Sequence, residues 1–222
     1  MAERTSDRRT YLQRDARRQK LLELGLRLFA NRSYEDVSID DVAREAGMSK
    51  GLLYHYFGSK RAFYTEVVRH AVDNLLEQLV LDPQRSGPEN LQRGLLAWFE
   101  FVAQQGDAYL TVMHGGLGVD DAVGPIIDDA RRVLVDRIIE GLEVEVPPPI
   151  VRIAVKSWIG AVETAALDWA THRDPDPPAV IEMLMAGLFG QLLIASKQAP
   201  DVKLKFDLAA GLRLLGPLFA GR

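Results

Sequence analysis

Residues 37–60 read VSIDDVAREAGMSKGLLYHYFGSK, and this stretch decides the fold. Ser38 stands where a helix wants its N-cap, and Asp40 and Asp41 fall in the first turn, where carboxylates meet the positive helix end. A short helix over about 39–46 follows. Gly47 can take the left-handed conformation that ends such a helix, and Ser49 can then cap a second one. Helix, tight glycine turn, helix is the helix-turn-helix pattern, in which the second helix enters the major groove of DNA with its N-terminal residues foremost.

Leu53 and Phe57 stand four apart and can face a core, which leaves Lys50, Gly51, Leu52, Tyr54 and His55 to face outward. Gly51 permits close approach to DNA, while Tyr54, His55 and Tyr56 offer hydroxyl or imidazole groups to phosphates and flat faces to thymine methyls. Lys60 begins the next helix, where its ammonium and the free backbone amides both meet a phosphate. The competing reading is that these aromatics pack a small helical core. Two polar aromatics beside Lys50 are poor core composition.

Working outward, apolar spacing stays helical. Leu22, Leu26 and Phe29 repeat at i, i+4, i+7, and Val68, Val72, Leu75 and Leu79 continue the rhythm. Pro- and Gly-rich breaks near 82–88, 115–125, 147–149, 174–178 and 199–200 leave helices at about 89–104, 107–114, 121–141, 149–172, 179–197 and 206–219. No run alternates long enough for a buried strand, so an all-α fold is expected. The domain boundary falls inside the helix that starts near Lys60, giving 1–61 as a basic arm with the helix-turn-helix and 62–222 as a helical bundle.

The 222 residues carry 27 Lys and Arg against 31 Asp and Glu, a net charge of −4 that hides a division. Residues 1–61 hold 13 basic and 9 acidic side chains, whereas 62–222 hold 14 and 22. A basic end on an acidic chain marks the place for a polyanionic partner. Arg4, Arg8, Arg9, Arg14, Arg17, Arg18 and Lys20 crowd the first twenty residues, as a flexible arm that follows the DNA backbone or as a solvated tail. Cysteine is absent, which excludes thiol chemistry. Apolar stretches such as 186–195 are short and interrupted, and the first residues are polar, so a cytoplasmic protein with no membrane span is expected.

The run from about Arg18 to Val68, with Leu28, Phe29 and Ala30, then Ser38, Val42, Ala43, Gly47, the GLLYHYF of 51–57 and Ser59 with Lys60, resembles the DNA-binding domain of the tetracycline-repressor (TetR) family of transcriptional regulators. The resemblance covers about a quarter of the chain. It implies an all-helical homodimer with a three-helix N-terminal domain, a connecting fourth helix and a C-terminal ligand-binding and dimerisation bundle. It implies DNA contacts at Ser38, Ser49, Lys50, Gly51, Leu52, Tyr54, His55, Tyr56 and Lys60. Many relatives carry a basic residue at the position of Asp40, and a carboxylate there cannot donate to a guanine edge or a phosphate. The expected protein is a repressor that holds a palindromic operator and leaves it when a small molecule binds.

For that molecule, Trp98, Phe101, Tyr109, Met113, Trp158 and Trp169 are candidate walls of a largely apolar pocket, with His114, Glu163, Asp168 or His172 as polar anchors. Packing in the core competes for each aromatic. Small residues on 149–172 and 179–197, among them Gly160, Ala161, Gly187 and Gly190, allow close helix approach, and the resemblance makes these two helices the homodimer interface. No cofactor and no metal are expected, since Asp168 and His172, four apart, make two ligands without a third.

Two rival classes share features of this chain. Gly47-Met48-Ser49-Lys50-Gly51 is literally the G-x-S-x-G of serine hydrolases, and His114 to Gly118 resembles their oxyanion loop. That motif needs a strand before the serine, and the residues before Ser49 read as a capped helix. A helical interaction scaffold is the other rival, separable by whether DNA binds.

Overall fold

The computed structural model describes the backbone of residues 2–30, 32–113, 120–142 and 146–199, with side chains except at 2–13, 106–113 and 120–121. Eight helices and no strand occur among the described residues. They are α1 (Ala2–Phe29), α2 (Ile39–Glu45), α3 (Lys50–Phe57), α4 (Lys60–Gln78), α5 (Gly87–Met113), α6 (Asp120–Gly141), α7 (Pro149–His172) and α8 (Pro177–Gln198). The helix expected at 206–219 lies outside the described residues, as does the side chain of His114.

Two expectations change. The stretches 89–104 and 107–114 form the single helix α5, because an interior glycine costs a helix only about 1 kcal/mol and no proline accompanies Gly106. The arginine-rich head is helical from Ala2 rather than a flexible arm, in keeping with a composition of good helix formers and no glycine or proline before Gly25. The side chains of Arg4, Arg8 and Arg9 lie outside the described residues.

Packing divides the chain into two compact units, residues 1–74 with 104–126, and residues 75–103 with 127–222. The division lies within α4, further along it than the boundary read from the sequence. In the first unit α1, α2 and α3 close over Leu22, Phe29, Val37, Val42, Leu53 and Phe63, all buried. Phe29 meets Tyr64 edge-on with ring centroids 4.9 Å apart, and Phe57 meets Phe63 at 4.8 Å. Gly25 lets α1 approach α4 closely: a Cβ there would stand 2.8 Å from Phe63 Cζ and collide with Val67.

In the second unit α7 and α8 pack as neighbours, and Trp158 Nε1 donates to the Leu184 carbonyl at 2.7 Å between them. Both begin with proline in the first turn, where a missing N–H costs nothing. Val155, Ala166, Phe189 and Leu192 are fully buried. The 22-residue α8 is long and apolar enough to cross a membrane by composition, which a count of uninterrupted apolar residues missed because Gln191 breaks the run. One face of it serves the core through Val180, Ile181, Leu184, Leu188, Phe189 and Leu192.

Candidate nucleic-acid interface and ligand cavity

The local chemistry of residues 37–60 accounts for the shape of the interface. Ser38 Oγ accepts the Asp41 N–H at 3.0 Å, and the Asp41 carboxylate accepts the Ser38 N–H at 3.1 Å, which makes a reciprocal capping box. The Ser38 hydroxyl and Arg44 also donate to Asp41, and together these bonds hold its carboxyl well below the usual range. At the other end of α2 the Gly47 N–H donates to the Arg44 carbonyl and the Met48 N–H to the Ala43 carbonyl, the paired bonds of a Schellman turn. Gly47 takes φ +64° there, as that turn requires.

Two residues later Ser49 Oγ accepts the Leu52 N–H at 3.3 Å and starts α3. Gly58 at φ +75° ends α3, and Ser59 Oγ caps α4 by accepting the Ala62 N–H at 3.0 Å. Every turn of the motif is therefore closed by a short polar side chain or a positive-φ glycine at the position where the sequence has one.

Leu53 and Phe57 are buried, whereas Lys50, Gly51, Tyr54 and His55 lie exposed on α3 and Leu52 and Tyr56 are half-buried. Leu52, expected to face outward, turns partly toward Met48 and the leucines of α1. Lys50 Nζ is not free: it donates to Asp40 Oδ2 at 2.9 Å, across from α3 to the first turn of α2, and this hydrogen bond raises its pKa. Lys60 Nζ is likewise oriented, donating to the Glu35 carbonyl at 3.3 Å and standing 4.4 Å from the Tyr34 ring centroid. Ser38 spends its O–H on Asp41, so a phosphate contact there would compete with the cap. Ser49 uses its oxygen only as acceptor in the bonds seen and keeps an O–H to donate.

Beside the motif, Arg17, Lys20 and Arg27 of α1 meet Gly47, Met48 and Leu52 around a cleft, so basic side chains of α1 flank α3. The Arg14 guanidinium stands 5.8 Å from the Tyr56 ring centroid, and Arg18 is paired with Glu66 at 2.8 Å.

The second unit holds a cavity of about 550 Å³. Trp98 and Trp158 line it, as does Glu163. Phe101 and Trp169 do not. Trp169 instead packs edge-on against Phe99 at 5.5 Å and donates to the Pro175 carbonyl at 3.0 Å, which spends its ring on core and loop. Tyr109 and Met113 belong to α5, but their side chains lie outside the described residues. Of the anchors expected from the sequence, Glu163 lines the cavity but is held by Arg131 through bonds of 2.8 and 3.0 Å, whereas Asp168 and His172 form an exposed local pair at 3.4 Å.

The sequence reading missed the segment 79–91, which supplies much of the cavity wall. Its Pro and Gly residues read only as punctuation. Asn90 organises it, accepting the Asp82 N–H at 2.9 Å and donating to the Asp82 and Arg85 carbonyls at 3.0 and 3.3 Å.

A family model for the tetR family of bacterial regulatory proteins matches residues 21–67, and a second, for a tetracyclin repressor-like C-terminal domain, matches residues 87–190. The chain belongs to the TetR family. A TetR-family transcriptional regulator from Streptomyces coelicolor superposes with a TM-score of 0.77 at 28% identity, covering 90% of this chain and 88% of that one. The transcriptional activator FasR of Mycolicibacterium smegmatis is 30% identical over 132 residues, 58% of this chain and 60% of FasR. The transcriptional repressor KstR2 of the same organism is 37% identical over 89 residues, 39% of this chain and 43% of KstR2. The chain thus matches about half the length of these curated relatives.

TetR proteins are regulators and not enzymes, and the local structure agrees with that reading of residues 47–51. Ser49 is the N-cap of a helix that follows another helix, not a nucleophile presented by a strand.

Proposed function

We propose that this chain is a homodimeric repressor that grips a palindromic operator through α3 and releases it when a largely apolar small molecule enters the cavity of the second unit. One observation carries the reading: the only side chains α3 commits to the core are Leu53 and Phe57, and Lys50, Gly51, Tyr54 and His55 form an exposed face along the helix, with the basic residues Arg17, Lys20 and Arg27 of α1 beside it. Ser49, Leu52, Tyr56 and Lys60 border that face and complete the proposed contact set, with Ser38 contributing through the cap that seats α2.

Dimerisation supplies what one short helix lacks, since two copies related by symmetry read two half-sites. The face that α8 turns away from the core supports it. Met183 and Ile194 are 60% and 61% exposed, with Gly187 and Gly190 between them, and Ile150 and Ile153 stand out on α7. Exposed large aliphatics separated by glycines suit close packing against a second copy of the same helices.

Release follows from differential affinity. A ligand that prefers the conformation poorly fitted to DNA shifts the population by as much as it prefers it, and about 5.5 kcal/mol of preference carries a two-state equilibrium from 1:99 to 99:1. A mobility-shift titration with DNA flanking the protein's own gene, repeated with apolar ligands present, tests the reading. Salt-sensitive binding relieved by ligand supports it. Binding that requires ligand would replace the repressor by a ligand-dependent binder, and no binding to any palindrome would leave the scaffold reading.

A further inference from the structure

Five ionisable side chains line the cavity. Asp82 and Arg85 neutralise each other at 3.0 Å, Glu163 is taken by Arg131, and Glu140 is exposed to water at the end of α6. Arg137 differs from all of these. It is half-buried, Nη1 donates to the Leu76 carbonyl, and no carboxylate among the described residues pairs with it. A guanidinium carries five N–H donors, and a neutral carbonyl satisfies one without balancing the charge. A half-buried cation in a wall otherwise formed by Leu95, Trp98, Trp158, Val162 and Phe189 gains from an anion that brings its own hydrocarbon.

We propose that Arg137 makes this cavity a site for a carboxylate-bearing, otherwise apolar molecule, whose carboxylate takes the guanidinium fork while its hydrocarbon lies along the tryptophans. The proposal rests on the reading of the cavity as the effector site and names the chemistry of the effector. It also names the first event of the response. Leu76 belongs to the last turn of α4, and besides the Arg137 donor its carbonyl accepts the Leu79 N–H at 3.2 Å. Arg137 from α6 holds the Leu76 carbonyl, and Arg93 from α5 holds those of Gln78, at 3.2 Å, and Val80. A carboxylate is the stronger acceptor, so one that takes the fork through Nη1 competes with the Leu76 carbonyl and loosens the hold of Arg137 on the end of α4, the helix that begins at Lys60, where Arg93 and the Leu79 N–H remain.

The test uses the full-length chain with laurate, dodecanol and dodecylamine, which share a tail and differ in headgroup. Calorimetry gives affinity, and tryptophan fluorescence places the ligand beside Trp98 and Trp158. Laurate should bind about tenfold or more tighter than dodecanol, the size of a charge-assisted hydrogen bond. Arg137→Gln should abolish that ratio while leaving dodecanol within about twofold, which also shows that the variant is folded. Arg137→Lys, which keeps the charge and loses the fork, should fall between. Amide exchange over residues 76–82 should quicken with laurate and not with dodecanol.

A laurate-to-dodecanol ratio unchanged by Arg137→Gln, a preference for dodecylamine, or equal exchange with both ligands would overturn the proposal. Loss of headgroup selectivity alone leaves the cavity as an apolar effector site, whereas failure of all three probes to bind overturns that reading as well. Operator binding by the ligand-free chain is measured apart and is touched by neither result.

Discussion

Removing the Lys60 ammonium is the most informative single change at the proposed DNA face. The Glu35 carbonyl at 3.3 Å and the Tyr34 ring at 4.4 Å hold this side chain at the start of α4, so little of its freedom remains to be lost when it meets a phosphate. One phosphate contact per subunit makes two per dimer, and each contributes about 0.9 to the slope of log affinity against log salt. Lys60→Ala should flatten that slope by about 1.8, so the affinity deficit should be about twelvefold larger at 50 mM salt than at 200 mM. The loss should be equal on operator and random DNA, because a phosphate carries no sequence. Folding should lose only the exposed cation–π contact, roughly 0.5 to 1 kcal/mol, and the long hydrogen bond to the Glu35 carbonyl, about 1 kcal/mol at most. Fluorescence anisotropy at four salt concentrations, with thermal melting as control, measures all of this. An unchanged slope would refute the phosphate role, and a loss confined to the operator would make Lys60 a base reader.

Other consequences are local. The depressed Asp41 carboxyl stabilises the fold above its unfolded pKa of 3.8 and loses that contribution as pH falls through its lower folded value. The melting difference between wild type and Asp41→Asn should therefore be constant near neutrality and shrink only under strong acid; a difference that grows on acidification would contradict the sign. Gly25→Ala should destabilise despite its better helix propensity, by about 1–3 kcal/mol of overpacking against Phe63 and Val67, as chemical denaturation would record. Gly47→Ala, with open space around its Cβ but φ +64°, should lose about 1–2 kcal/mol for a different reason, the left-handed backbone. Ile194→Asp should yield a folded monomer in sedimentation velocity; an intact dimer would move the interface away from the outer face of α8.

The DNA-proximal unit was legible because its signals are local. Ser38, Gly47 and Ser49 act on backbone groups within a few positions of themselves, so their spacing alone announces the turns around α2 and the start of α3. What Lys50 and Lys60 touch was not legible, since Asp40 and Glu35 reach them across the fold.

The cavity was harder. Its aromatic walls depend on which face of each helix turns inward, and Trp169 and Trp158 look alike in sequence until Phe99 and the Pro175 carbonyl claim the first. Arg137 gave no signal at all. An arginine on an amphipathic helix reads as solvated, and only the approach of the α4 terminus makes it part of a wall.

Whether the exposed face of α3 reads DNA is measured by the affinity of the chain for DNA beside its own gene divided by that for a scrambled duplex, for wild type and Tyr54→Ala at the same salt. A wild-type ratio of about 10³ or more, sharply reduced in the variant while dimer mass and helical content stay unchanged, is the result predicted. A ratio near one, or one that Tyr54→Ala leaves intact, would contradict it.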